Sequence, residues 1–307
     1  MKLSKRPLVA ASLLAAVSLL AASTGVQAED SQQDVLQTPD SLAGQQIFAN
    51  NYVSAGTDSI INGNVLSGSY LTVGADSKID GDTVAVAATT LGAGAVTGNL
   101  WSGTAVTLGA GSGAQIVRHG TAFTRGAAAT TAAVSGGEPT PQIHGEQGEA
   151  ASWQTGLTAL QPTQVLIPGN IAAPVVYAPG VYQTAGLRTF AADTIITLDA
   201  KSDDADFVFN ISSYLTFGAR VEVKVINQVS GKNVRVIWNI AGGYVAVGAG
   251  ANIVGTVIAK NYVSIGANAT IRSPVNSICG GVAYSTTSYV SVGAGATVGT
   301  SQPCTPI

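Results

Sequence analysis

Short stretches in which apolar and polar residues alternate recur along this chain every 17 or 18 positions. Four successive copies are Tyr52-Val53-Ser54-Ala55-Gly56, Tyr70-Leu71-Thr72-Val73-Gly74, Ala88-Thr89-Thr90-Leu91-Gly92 and Ala105-Val106-Thr107-Leu108-Gly109. The phrase returns around Thr216, Ala246, Ser264 and Ser291. Alternation of period two predicts a strand with one covered face. Val53, Leu71, Val73, Val106 and Leu108 then point inward, while Tyr52, Ser54, Tyr70, Thr72 and Thr107 point outward. Gly closes each copy and allows a tight corner. A second run follows, such as Ala75 to Ile79, and then a third, such as Asn64 to Ser67 or Thr256 to Ala259. Three short strands per coil at a fixed period predict a triangular β-solenoid, with coils about 4.8 Å apart.

The alternation is expected to break between about Thr121 and Pro179, with a loop from Gly126 to Pro141. Ala150, Trp153, Leu157 and Leu160 then recur at spacings of three and four, which predicts one amphipathic helix near 146–160, stopped by Pro162. A lone helix must bury its apolar side. The third strands offer the place, because Leu66, Val84, Trp101 and Ile258 project outward there and need a cover. Strands are expected again at 193–198, 206–211, 221–226 and 233–240.

Composition narrows the choice of partners. The chain is 46% hydrophobic but only 10% charged, against about 25% in an average domain. Lys2, Lys5 and Arg6, the apolar run Leu8 to Leu20, and Val26-Gln27-Ala28 have the layout of a signal peptide over residues 1–28. A flexible leader at 29–46 and a single domain at 47–307 follow. The expected destination is outside the cell, or the periplasm. No other stretch has the length and apolarity of a membrane span. Without the leader, 11 basic residues face 17 acidic ones, which disfavours nucleic acid and anionic membranes. Cys279 and Cys304 are candidates for a disulfide in an exported protein, with two free thiols as the alternative.

Catalytic chemistry finds few residues to use. His119 and His144 fall outside the expected coils and have no local ligand cluster. Asp199, Asp203, Asp204 and Asp206 are the densest acidic group, open to a calcium or catalytic reading. Two of them sit between strands, where Asp suits a turn. Neither a nucleophile-elbow nor a phosphate-loop motif occurs. No enzyme, metal or cofactor is expected.

Several segments together are similar to the microbial β-solenoid ice-binding (antifreeze) proteins. They are Tyr177-Ala178-Pro179-Gly180-Val181-Tyr182, then Thr194 to Ala200 with Asp206 to Ile211. Asn233 to Ile240, and Gly255 to Ala259 followed by Tyr262 to Ile265, complete the set in order. The resemblance implies a right-handed solenoid, one helix alongside, and coils not stacked in simple chain order. It also implies a secreted protein that adsorbs to an ice surface.

On that expectation Ser54, Thr72, Thr90, Thr107, Thr216, Ser264 and Ser291 form the candidate ice-binding row, because the central position never carries a charge. The flattest patch is expected at Thr90 and Thr107, where Ala88 and Ala105 replace Tyr. The neighbouring face, with Ala249 to Asn252 and Ala267 to Thr270, is a second candidate. A cell-envelope module that binds polysaccharide through the Tyr column is the alternative function. In either case a monomer is expected.

Overall fold

The computed structural model of the chain describes residues 35–274 and 281–299. The chain divides into Met1–Thr38 and Pro39–Ile307, and the architecture below is that of the second unit. The proposed signal peptide, Cys279 and Cys304 lie outside the described residues.

Pro39–Ile307 is a stack of coils built from short parallel strands. One ladder is an 11-stranded sheet that contains Val53–Ala55, Leu71–Val73, Thr89–Leu91 and Ala105–Leu108. The other 21 strands form two further ladders, joined where Gly113–His119 pairs with strands of both. Period-two alternation therefore becomes a three-sided tube. Inward residues such as Val53, Leu71, Val106 and Leu108 are buried, and the residues between them face water.

Coil order departs from chain order. The coils from Gln45 onward stack away from the middle and end at Ala122–Arg125 and Thr130–Gly136. After the helix, the chain resumes at the opposite end with Gln164–Val165, Gly169–Ile171 and Val175–Tyr177. It then builds back to the middle, where the last coil docks on the first along all three ladders. The pairs there are Ile47 with Ala283, Val53 with Val290, and Ile60 with Thr297.

The helix α1, His144–Ala159, makes the return crossing. It is about 24 Å long at 1.5 Å per residue. Ala150, Trp153, Leu157 and Leu160 are buried, as their spacing predicts. They cover one ladder, on which the outward residues Leu66, Phe48, Tyr284, Ile258, Asn239 and Asn210 lose nearly all exposure. Val84 and Trp101, further along the same ladder, are half-buried. Polar groups under the helix are matched. Gln154 Nε2 donates to Asn239 Oδ1 and to Ile240 O, both at 3.2 Å, and Thr286 Oγ1 donates to Gln154 Oε1 at 2.9 Å. Asn210 Nδ2 donates to Leu157 O at 2.7 Å. These bonds fix the helix laterally, which apolar contact alone does not.

The two halves fill their cores differently. Aliphatic residues fill the coils before the helix, with Phe123 added on the terminal coil. In the longer coils after it, Phe209 stacks on Trp238 at 4.2 Å, and Trp238 meets Phe217 edge-on at 5.1 Å. The Trp238 indole donates to Val254 O, so its one polar atom is satisfied.

Three sequence expectations are corrected. The pattern does not break at Thr121, because Ala122–Arg125 and Thr130–Gly136 form another coil where a loop was expected. That coil is terminal, so one of its sides has nothing to bury and its alternation is faint. His119 ends the regular strand Gly113–His119, with its ring stacked on Phe123, and His144 opens α1. His119 therefore belongs to a coil, whereas His144 lies outside the coils as expected. Where a leader to residue 46 is expected, Leu42 is buried in a short turn and a strand begins at Gln45.

Candidate functional face

The 11-stranded ladder brings all seven candidate hydroxyls into one row. Its central outward residues are, in spatial order, Thr124, Thr107, Thr90, Thr72, Ser54, Ser291, Ser264, Ala246, Thr216, Thr189 and Asn170. Adjacent rungs are about 4.8 Å apart, the parallel-strand spacing. No rung carries a charge. Thr124, Thr189, Asn170 and Ala246 extend the seven expected residues to a full row. Thr124 escapes the sequence pattern because Arg125 stands where other copies have an inward aliphatic residue. Thr189 escapes it because Ala191 replaces the closing Gly.

Two rows flank the hydroxyls. On one side Tyr214, Tyr244, Tyr262, Tyr289, Tyr52 and Tyr70 stack as an unbroken column. Ring centroids are 5.1, 4.7, 5.0, 4.8 and 4.9 Å apart, with planes within 10° of parallel. The stack crosses the junction between last and first coils without a gap. Its inner rings spend both faces on each other, so the surfaces a sugar ring would stack on are engaged within the column. Partial burial, then the neighbouring phenols Tyr289 and Tyr70, push Tyr52 above its ordinary value of 10.0. Burial, then Tyr244 and Tyr289, does the same for Tyr262.

On the other side lies a row of corner glycines, including Gly92, Gly74, Gly56, Gly293 and Gly266. A Cβ on Gly74 would lie 2.5 Å from Gly56 C and from Thr57 N, and one on Gly56 would lie 2.7 Å from Ala294 N. Only Gly lets successive corners approach this closely, which keeps this edge of the face level.

Exposure varies along the row. Thr72, Thr90, Thr107 and Thr124 are open to solvent, whereas Ser54, Ser291, Ser264 and Thr216 are half-shaded among the tyrosines. Ala88, Ala105 and Ala122 replace Tyr beside Thr90, Thr107 and Thr124 and leave that end the flattest.

The other exposed ladder is chemically mixed. Its outward residues include Lys78, Glu222, Lys224 and Arg272, with ion pairs Lys78–Asp80 at 3.2 Å and Lys224–Glu222 at 3.1 Å. Ile60 and Val96 stand among them, so charge and bulk interrupt the flat segments at Ala249 to Asn252 and Ala267 to Thr270.

The acidic group is engaged in turns and ion pairs. Asp199 accepts from Asn227 Nδ2 and Lys201 N, which hold its carboxyl below the usual range. Asp203 is lowered by Lys232 at 2.7 Å, and Arg235 clamps Asp206 through two bonds of 2.6 and 2.9 Å. Asp204 accepts from Asn233 N at 2.6 Å. Among the described residues no group of three metal-ligating side chains gathers.

The architecture has known counterparts. An ice-binding protein from an Antarctic biological consortium superposes with a TM-score of 0.52 at 18% identity, over 86% of this chain and 91% of that one. A glycosylated ice-binding protein from an Arctic yeast gives 0.54 at 16% identity, over 87% and 94%. The DUF3494 domain of ice-binding protein 1 from Shewanella frigidimarina gives 0.51 at 17%, over 86% and 96%. At these identities the likeness is one of fold. No curated protein matches the chain. The family described as ice-binding-like matches residues 87–295, more than half of the 307, and the chain belongs to that family.

Proposed function

We propose that this protein adsorbs to ice through the outward row of the 11-stranded ladder, centred on Thr72, Thr90, Thr107 and Thr124. The observation that carries the reading is an uncharged row of eleven rungs, level on its Gly side and ten of them bearing a hydroxyl or amide. Ice presents oxygens in a fixed lattice. A rigid row with a rung every ~4.8 Å can keep in step with one lattice direction over several rungs. Thr supplies a hydroxyl for hydrogen bonding and a methyl beside which water orders. A charged group would instead hold its own hydration shell out of lattice geometry. Each contact is weak, but the backbone ladder fixes the row beforehand, so little freedom is lost on binding. Bound protein then forces ice to advance as curved fronts between anchor points, which depresses the freezing point and slows recrystallisation. Residues 1–28 fit export to where ice forms, and Cys279 with Cys304 fit a disulfide there. No chemical step is involved.

Thermal hysteresis and recrystallisation inhibition on the mature chain test the reading. Faceted crystals and a measurable freezing gap support it. Round crystals at millimolar protein, together with retention on a polysaccharide column that Tyr70→Ala abolishes, would replace it with the carbohydrate reading.

A further inference from the structure

The tube has two ends, and an arginine stands where the repeat calls for an apolar inward residue at each, Arg125 on the last rung and Arg188 on the last rung but one. In the row of first positions, Leu71, Val53, Val290, Val263, Val245 and Leu215 are buried aliphatics, and the next residue is Arg188. In the row of third positions, Val73, Leu91 and Leu108 are followed by Arg125. Arg188 is 5% exposed. It donates to Ile167 O at 2.6 Å and to Tyr177 OH at 2.7 Å, and lies 5.4 Å from the centre of the Phe190 ring, while its Nε has no partner. Arg125 is exposed and folds over its own end, donating to Ala129 O at 2.6 Å. Among the described residues neither is in an ion pair.

We propose that these two arginines are end stops that keep a second copy of this chain from adding to the stack head to tail. Both ends are parallel strand edges, and such edges invite further strands unless something blunts them. This chain already joins two edges of the same kind, since the last coil docks on the first along three ladders. The same join between copies would set the Thr124 coil of one against the Asn170 coil of the next. The Val165, Ile167 and Val176 side chains, strongly exposed around the latter, would favour that contact. A translational contact of this kind does not close on itself and would propagate. In that join Arg125 of the incoming copy falls in register with Ile171 and Phe190, two rungs away along the tube and two residues along the strand, or ~12 Å, from the buried Arg188. Two guanidinium groups would then share an apolar core with no carboxylate, and burying an unpaired charge is strongly unfavourable. Arg125, the exposed member, is the one whose removal frees the end.

The test is Arg125→Leu in the mature chain, which restores the residue type of Leu91 and Leu108. Mass by light scattering and sedimentation velocity is read against protein concentration. Arg125→Ala serves as a second charge-free variant, because trimming an exposed side chain leaves the coil intact. Arg125→Lys keeps the charge, and Lys78→Leu removes the same charge from a mid-tube face. The proposal requires monomeric wild type, Arg125→Lys and Lys78→Leu. It also requires Arg125→Leu and Arg125→Ala to at least double in average mass, as rods lengthened along the tube axis. Monomeric Arg125→Leu and Arg125→Ala would overturn it, as would equal association of Lys78→Leu or Arg125→Lys.

Discussion

Ser291 and Ser54 are neighbours on one ladder, although nearly the whole domain separates them in the chain. Val290 N donates to Tyr52 O at 3.1 Å, and the rings of Tyr52 and Tyr289 stack at 4.8 Å across the same join. Two shorter stacks, grown in separate parts of the sequence, thereby become one face. The helix makes this arrangement possible by carrying the chain back past the middle to the far end.

The level edge of the face depends on glycine packing rather than on glycine flexibility. Gly74→Ala would drive a methyl into the Gly56–Thr57 backbone. Overpacking of this kind costs about 1–3 kcal/mol. A lower denaturation midpoint with an unchanged denaturant slope is the expected outcome. Gly145→Ala, in α1 with open space around it, is the control and should be neutral or stabilising.

The helix should matter for stability more than for contact with ice. Gln154→Ala removes its bonds to Asn239, Ile240 and Thr286 under the helix. Leaving such groups unmatched costs about 1–3 kcal/mol. The ladder proposed to face ice lies on another side of the tube. Freezing-gap activity measured well below the midpoint should therefore match wild type per folded molecule, and calorimetry should show the lower midpoint.

Titration should act on the margins of the pH range only. Tyr52 and Tyr262 are raised from 10.0, so the folded state favours their neutral form. Their contribution is complete below pH 10.0 and is lost as pH rises through the raised values. Phenolate absorbance should show these tyrosines ionising later than free tyrosine, and Tyr262→Phe should remove one late step. Asp193, Asp199 and Asp203 are lowered from 3.8, the first mainly by its bond to Arg220. Their contribution is present above pH 3.8 and is lost as pH falls through the lowered values. Because no rung is charged, the freezing gap should stay flat between these limits.

Much of the tube was legible from local pattern. Period-two alternation with a corner Gly identified the inward residues Val53, Leu71, Val106 and Leu108. The spacing of Ala150, Trp153 and Leu157 identified the helix and its buried side. The terminal coils were illegible, because Ala127 to Val134 have little to bury and so show no contrast between faces. Thr124 was missed because Arg125 stands where the repeat has an inward aliphatic residue, and Thr189 because Ala191 replaces the closing Gly and Arg188 the inward aliphatic residue before it. The neighbourhood of Ser54 and Ser291 had no local signal at all. Coil order is set by which edges meet after the crossover, and the family resemblance alone anticipated that it would depart from chain order.

Thermal hysteresis of the double variant Thr90→Lys/Thr107→Lys, beside Thr270→Lys on the neighbouring ladder, addresses the ice-binding face most directly. Outward positions on short strands tolerate substitution within about 0.5 kcal/mol each, so both proteins should fold as wild type by circular dichroism. Adsorption through the Thr row requires the double variant to lose most of its freezing gap and crystal faceting while Thr270→Lys keeps both. Full activity in the double variant, with loss in Thr270→Lys, would contradict it and move the site to the neighbouring ladder.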